Sequence, residues 1–236
     1  MAEGYVVYGV DIGVYREDNP KLKSTFAWAR IENDYSKCEK TKPNNDNSGK
    51  SIRCLATKIN CDLKNNKKIA LGFEAPMWIP VEDLKKDGNL FKKRFEAEGS
   101  KYRWYLQSGA AATLKSIVIG KNLFGLLIKD IQFTTSPEDW KNGNKILLFE
   151  GFAAGNYKGE IKNEETEHKA DARQIACAFI EYVKGNEECK LNKEDYVENS
   201  DISVWDIIAT QKHKVGCPPD CLVVGIKNND NRVNTE

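Results

Sequence analysis

"VVYGVDIGVY", residues 6–15, carries one charge, Asp11, at the end of an apolar run, with Gly9 before it and Gly13 after it. Tyr5–Val10 is rich enough in β-branched and aromatic residues to make a central, buried strand. A carboxylate at the end of such a strand has to be paired, strained or metal-bound, because burying it uncompensated is too costly. "KSTFAWARIE" (23–32) alternates as a second strand, and turn-prone residues 15–23 join it antiparallel to the first. The chain therefore opens with a hairpin whose first strand delivers an acid.

The same pattern returns downstream. "NDYSKCEKTKPNNDNSGK" (33–50) is almost devoid of apolar residues and reads as a polar loop insertion with room for a short edge strand. Ile52, Leu55, Ile59 and Leu63 recur at helical spacing, which predicts a helix over 51–65. "KKIALGFEAPMWIPV" (67–81) is an apolar strand ending in Glu74, stopped by a proline. Residues 102–128 read as largely helical, with small residues at Gly109–Ala112, and "TTSPEDWKNGNK" (134–145) as a loop. "ILLFEGFAAG" (146–155) is a third buried strand, ending in Glu150. Helices over 165–184 and 203–212 and a last strand at "CLVVGI" (221–226) complete the pattern, followed by a polar tail, 229–236. An opening hairpin followed by strands alternating with helices predicts one α/β domain over 1–228, a mixed sheet flanked by helices.

Composition narrows the function. The 236 residues have a formal net charge of +1, which excludes a global basic field and an acidic disordered chain. No apolar run nears the ~18 residues of a membrane span, and no secretion signal opens the chain, so a cytoplasmic protein without membrane partners is expected. The seven cysteines, odd in number and irregularly spaced, read as free thiols. Cys217-Pro-Pro-Asp-Cys221 is their one suggestive pair, and it lacks a second cysteine pair to complete a zinc site.

In an open α/β sheet ligands gather where strands end, and three strands here end in Asp11, Glu74 and Glu150. Like charges so placed call for a cation between them, and oxygen donors suit hard Mg2+ or Mn2+. "HKADA" (168–172) adds His168 and Asp171, three apart and so on one helix face. Taken singly, Asp11 also reads as a strand-end acid pairing with Arg16 or a lysine, Glu150 as an acceptor from the glycine-rich turn after it, and His168 as a solvated or capping residue.

The order of these motifs resembles the RNase H-like fold in its RuvC-type resolvase branch. It is closer still to a poorly characterised family of predicted RNase H-like nucleases. "GFEAP", "SGAAA", "EGFAAG", "HKADA" and "CLVV" stand in that family's order, over roughly residues 5–226. The resemblance implies a two-metal phosphodiester hydrolase: Asp11 bridging two Mg2+ or Mn2+ ions, Glu74 on one, Asp171 on the other with His168 beside it, and Glu150 as a further acid. It also implies a nucleic-acid substrate, DNA or RNA, and allows a homodimer.

Residues 85–121 hold nine Lys/Arg against three Asp/Glu. Within them Lys92, Lys93, Arg94, Lys101 and Arg103 interleave with Phe95, Tyr102, Trp104 and Tyr105, a pattern suited to tracking phosphates and stacking bases. Two other classes share some of these features. An actin-like nucleotide-binding fold also opens with Asp-x-Gly and a hairpin, and an RNase H-like scaffold without catalysis would keep the sheet and some of the acids.

Overall fold

β1 (Tyr5–Asp11) is buried at all seven positions, as a strand covered on both faces must be. It pairs antiparallel with β2 (Ala27–Asn33) and parallel with β4 (Lys68–Glu74). The computed structural model describes residues 4–15, 25–33, 48–80, 108–153, 157–161, 166–191, 202–209 and 222–226. Within these, the sheet runs β3-β2-β1-β4-β7-β6, with β3 at Ser48–Gly49, β6 at Gln132–Thr134 and β7 at Lys145–Gly151. β9 (Val223–Val224) joins β7 beyond the end of β6, so the two short strands share one edge of β7. β1, β4, β7, β6 and β9 are parallel, and β2 and β3 are antiparallel additions. The expected hairpin followed by parallel strands is the observed α/β architecture.

Side chains alternate across each strand, and the two faces have separate cores. Val6, Tyr8, Val10, Ile69, Leu71 and Phe73 pack with α1 (Ile52–Lys64), α2 (Ser108–Leu126) and α5 (Val204–Ala209). Tyr5, Val7, Ala70, Leu147 and Phe149 pack under α4 (Glu167–Val183) through Ile175, Ala176 and Phe179. Gly9 lies on that second face, where a Cβ would stand 1.9 Å from the Ala172 carbonyl oxygen. Glycine there lets the α4 backbone rest directly on β1.

One buried ionic group holds the first face. Arg30 grips Asp62 of α1 through Nε at 2.7 Å and Nη2 at 2.8 Å, and the Tyr8 hydroxyl donates to the same carboxylate. Burial pushes Asp62 up, but the bonds from Arg30 and Tyr8 outweigh it and leave its carboxyl below the usual range. The hydrophobic stripe of α1 thus carries an acid at its C-terminal end because β2 supplies the matching base.

One expectation about the elements is corrected. Residues 134–145 are not a loop: they hold the end of β6 and α3 (Pro137–Asn142). Ser136 caps α3 by accepting from the Asp139 N–H at 3.2 Å, Pro137 occupies its first turn, and Trp140 is buried edge-on against Tyr5 and Phe179. A helix of six residues is too short to show periodicity, so its start signals were its only signature. A second ladder, β5 (Trp78–Ile79) with β8 (Ile202–Ser203), stands apart from the main sheet. No helix among the described residues is long and apolar enough to cross a membrane.

Candidate metal centre

Parallel pairing puts Asp11 directly beside Glu74 at the carboxyl ends of β1 and β4, on the face that α4 covers. Because α4 lies so close at Gly9, its first turns reach the same point and bring Asp171 to the pair. Asp11, Glu74 and Asp171 each offer a carboxylate oxygen, and these lie within 4.8 Å of one another. His168, one turn before Asp171, sets Nδ1 2.7 Å from Asp11 Oδ2. Asp171 Oδ1 accepts from the Gly159 N–H at 2.8 Å, and a Cβ on Gly159 would collide with the Ala170 carbonyl. That glycine, absent from the sequence reading, lets the 157–161 segment press on α4.

Electrostatically the group is under tension. Asp11 is only 7% exposed, and its carboxyl is pushed up to about 6, by burial first, with Asp171 adding repulsion and His168 opposing both. Glu74 is raised well above the ordinary glutamate value by burial and then by Asp11 and Asp171. Asp171 is raised too, chiefly by burial, with the Gly159 bond and Lys158 pulling the other way. Lys158 itself is ion-paired with Glu167. His168 and Asp171 lie in the first turns of α4, whose N-terminal end favours negative charge.

An all-oxygen donor set, converging from three elements and strained by its own charge, fits a hard divalent cation and does not fit a thiolate-seeking metal. The histidine bonded to one of the acids supports its orientation in the manner of an outer-shell partner.

Glu150 does not join the three. It is in register with Phe73, one residue out of phase with Glu74, so it projects from the opposite face of the sheet. There it is fully buried and accepts from the Met77 N–H at 2.8 Å. Its strand-end position suggested a ligand, whereas the pleat gives it the connection after β4.

Lys92, Lys93, Arg94, Lys101 and Arg103, like Arg16 and the Cys217/Cys221 pair, lie outside the described residues. Cys54, Cys61, Cys177 and Cys189 are free thiols.

Together these features form a sheet compatible with an RNase H-like arrangement, with a buried Asp/Glu/Asp group able to hold a metal ion. No family model, curated protein or solved structure matches the chain.

Proposed function

We propose that the protein is a metal-dependent phosphodiester hydrolase acting on nucleic acid, with Asp11, Glu74 and Asp171 as the ligands of Mg2+ or Mn2+. The observation that carries the reading is the convergence of two buried carboxylates, Asp11 and Asp171, and the half-buried Glu74 on one point at the carboxyl end of two parallel strands. When bound, a pair of divalent ions neutralises the scissile phosphate and lowers the pKa of the attacking water. The chain's own part is to hold three oxygens in place without rearrangement. Strand register fixes Asp11 against Glu74, and the Gly159 N–H fixes the Asp171 carboxylate. His168 Nδ1 lies 2.7 Å from Asp11 Oδ2; with the ring proton on Nδ1, Nε2 would be left as an acceptor able to take a proton from water. The direct test is incubation with Mn2+ and single-stranded, duplex and branched DNA and RNA. Cleavage of at least one is expected; cleavage of none, by folded protein, removes the hydrolase reading and favours a silent scaffold.

His168→Ala is expected to lower cleavage by about 10²- to 10⁴-fold, the range for a positioned acid–base group. The metal-induced rise in melting temperature should persist, because the three carboxylates remain. Loss of that rise in the variant would make His168 a ligand instead.

A metal should also stabilise the fold in a pH-dependent way. The three acids have raised pKa values in the metal-free fold. Their contribution to stability is therefore greatest below the ordinary carboxylate pKa near 4 and is lost as pH rises through about 6 and beyond. Metal replaces the missing protons, so the gain from millimolar Mn2+ should be larger at about pH 8 than at about pH 5. At a hundredfold excess over Kd the stabilisation is about 2.7 kcal/mol, or roughly 5–10 °C for a chain of this size. Equal melting temperatures with and without metal at about pH 8 would remove the site.

A further inference from the structure

Residues 157–161 are fixed at three points around the start of α4. Gly159 donates its N–H to Asp171 Oδ1 at 2.8 Å, the Glu160 carbonyl accepts from Arg173 Nη2 at 2.6 Å, and Tyr157 stands edge-on against Phe152 just after β7, with ring centroids 5.2 Å apart. None of these contacts uses the Lys158 side chain, which forms an ion pair with Glu167. Glu167 lies four residues before Asp171, one turn along the same face, so the pair lies against the stretch of α4 that carries the third acid. The side chains of Lys158 and His168 are 53% and 35% exposed, against 11% for Asp11, and they mark the side on which the acidic group meets solvent.

The fold alone gives little reason for a lysine here. An exposed ion pair adds little to stability, and a cation beside the first turn of a helix opposes its dipole, whereas Glu167 in that turn is favoured. The charge nonetheless reaches the acids. Burial raises Glu74 and Asp171, and Lys158 pulls both back. Its chain neighbour, Gly159, is bonded to Asp171, so a single peptide sets the distance of Lys158 from the group. The ammonium is thus within the field of the three carboxylates but bonded to a fourth that is not one of them, which keeps it at the rim.

Resting on the hydrolase reading, we propose that Lys158 is a substrate-binding residue of this centre, exchanging Glu167 for a non-bridging oxygen of the scissile phosphate. A phosphate approaching Asp11, Glu74 and Asp171 has to come from the solvent side, where Lys158 stands. The ammonium carries three donors on a flexible stem, so it can turn to a phosphate oxygen while the backbone of 157–161 stays anchored. The acids repel a phosphate, and a cation held at their rim offsets part of that repulsion as the substrate arrives. Glu167 has the complementary duty: it holds the ammonium out of the ligand positions, where it would compete with a divalent ion.

The test is fluorescence anisotropy of labelled single-stranded and duplex oligonucleotides with Mn2+, in the His168→Ala background so that turnover is slow. Lys158→Met keeps the length of the side chain and removes its charge. It should leave the metal-free melting temperature unchanged and weaken binding about 10- to 100-fold, the range for one charge-assisted bond. The log–log salt slope should flatten by about 0.7 on a single strand or about 0.9 on a duplex, one phosphate contact. Lys158→Arg should retain the affinity. Glu167→Gln breaks the same ion pair but releases the ammonium, so it should tighten binding by up to about fivefold. If Lys158→Met and Glu167→Gln weaken binding alike, the pair only holds residues 157–161 on α4 and the assignment falls. It falls too if the parent protein binds neither oligonucleotide, or if Lys158→Met binds them as its parent does and changes only the Mn2+ affinity measured by calorimetry. The two readings fail separately. Wild type that cleaves nothing with Mn2+, but binds an oligonucleotide more tightly than Lys158→Met does, keeps the phosphate contact and loses the hydrolase. Wild type that cleaves, with KM unaltered in Lys158→Met, keeps the hydrolase and loses the contact.

Discussion

Asp11→Asn is expected to abolish Mn2+-dependent cleavage and, in the same protein, to raise the melting temperature of the metal-free form at about pH 8. Both effects have one cause. Asp11 is buried beside Glu74 and Asp171, so its charge is held against desolvation and against two neighbours of the same sign. Asparagine keeps the shape and can still accept from His168 Nδ1, but it removes the charge that a cation requires. The loss of activity should exceed the roughly 10²- to 10³-fold cost of deleting one electrostatic donor, because a ligand of the metal itself has no substitute. The gain in stability follows from relieved repulsion, as happens when a functional site is strained. Glu74→Gln and Asp171→Asn should behave alike, whereas Glu150→Gln should spare cleavage. Activity assays and thermal melts of the same preparations decide the matter. An Asp11→Asn protein that cleaves as wild type does would show the site to be wrong.

Gly9→Ala is expected to be the most disruptive single methyl in the fold. The added Cβ would meet a backbone oxygen of Ala172 at 1.9 Å, and Ala176 N at 3.0 Å, so no side chain can swing aside. α4 has to retreat as a body by more than an ångström, which puts the cost at about 1–3 kcal/mol or above and the fall in melting temperature at roughly 2–4 °C per kcal/mol. Asp171 and His168 ride on α4, so the Mn2+-induced rise in melting temperature should shrink as well. Gly125→Ala is the control: nothing lies within 4 Å of its would-be Cβ, and a helical glycine replaced by alanine should be neutral or stabilising by up to ~1 kcal/mol. If Gly9→Ala melts with wild type and keeps the full metal response, the close approach of α4 is not what assembles the site.

Much of this architecture can be read from residue patterns. Tyr5–Asp11 declares a buried strand, and "HKADA" on a late helix brings the third acid, because burial and helical phase are local properties. Glu150 shows where such reading stops. It has the look of a third strand-end ligand, but the choice of face depends on which residue of β4 it sits beside. A cue was present: Asp11 and Glu74 each follow a glycine by two positions, Gly9 and Gly72, whereas Glu150 directly follows Phe149, the residue in register with Gly72. Gly159 and Lys158 left no local mark of their own, since each gains its meaning from segments far away in the chain.

The bond between His168 and Asp11 spans 157 positions, and this separation sets when the acidic group can assemble. Both of the strand acids are synthesised early, but the third acid and the histidine arrive only with α4. A ribosome-bound chain, or one cleaved before residue 166, carries two repelling carboxylates and no centre. Long-range contacts of this kind form late because loop closure has to be met before they repay it. If the proposed hydrolase reading holds, hydrolytic competence is acquired only once α4 has docked and is lost when α4 undocks.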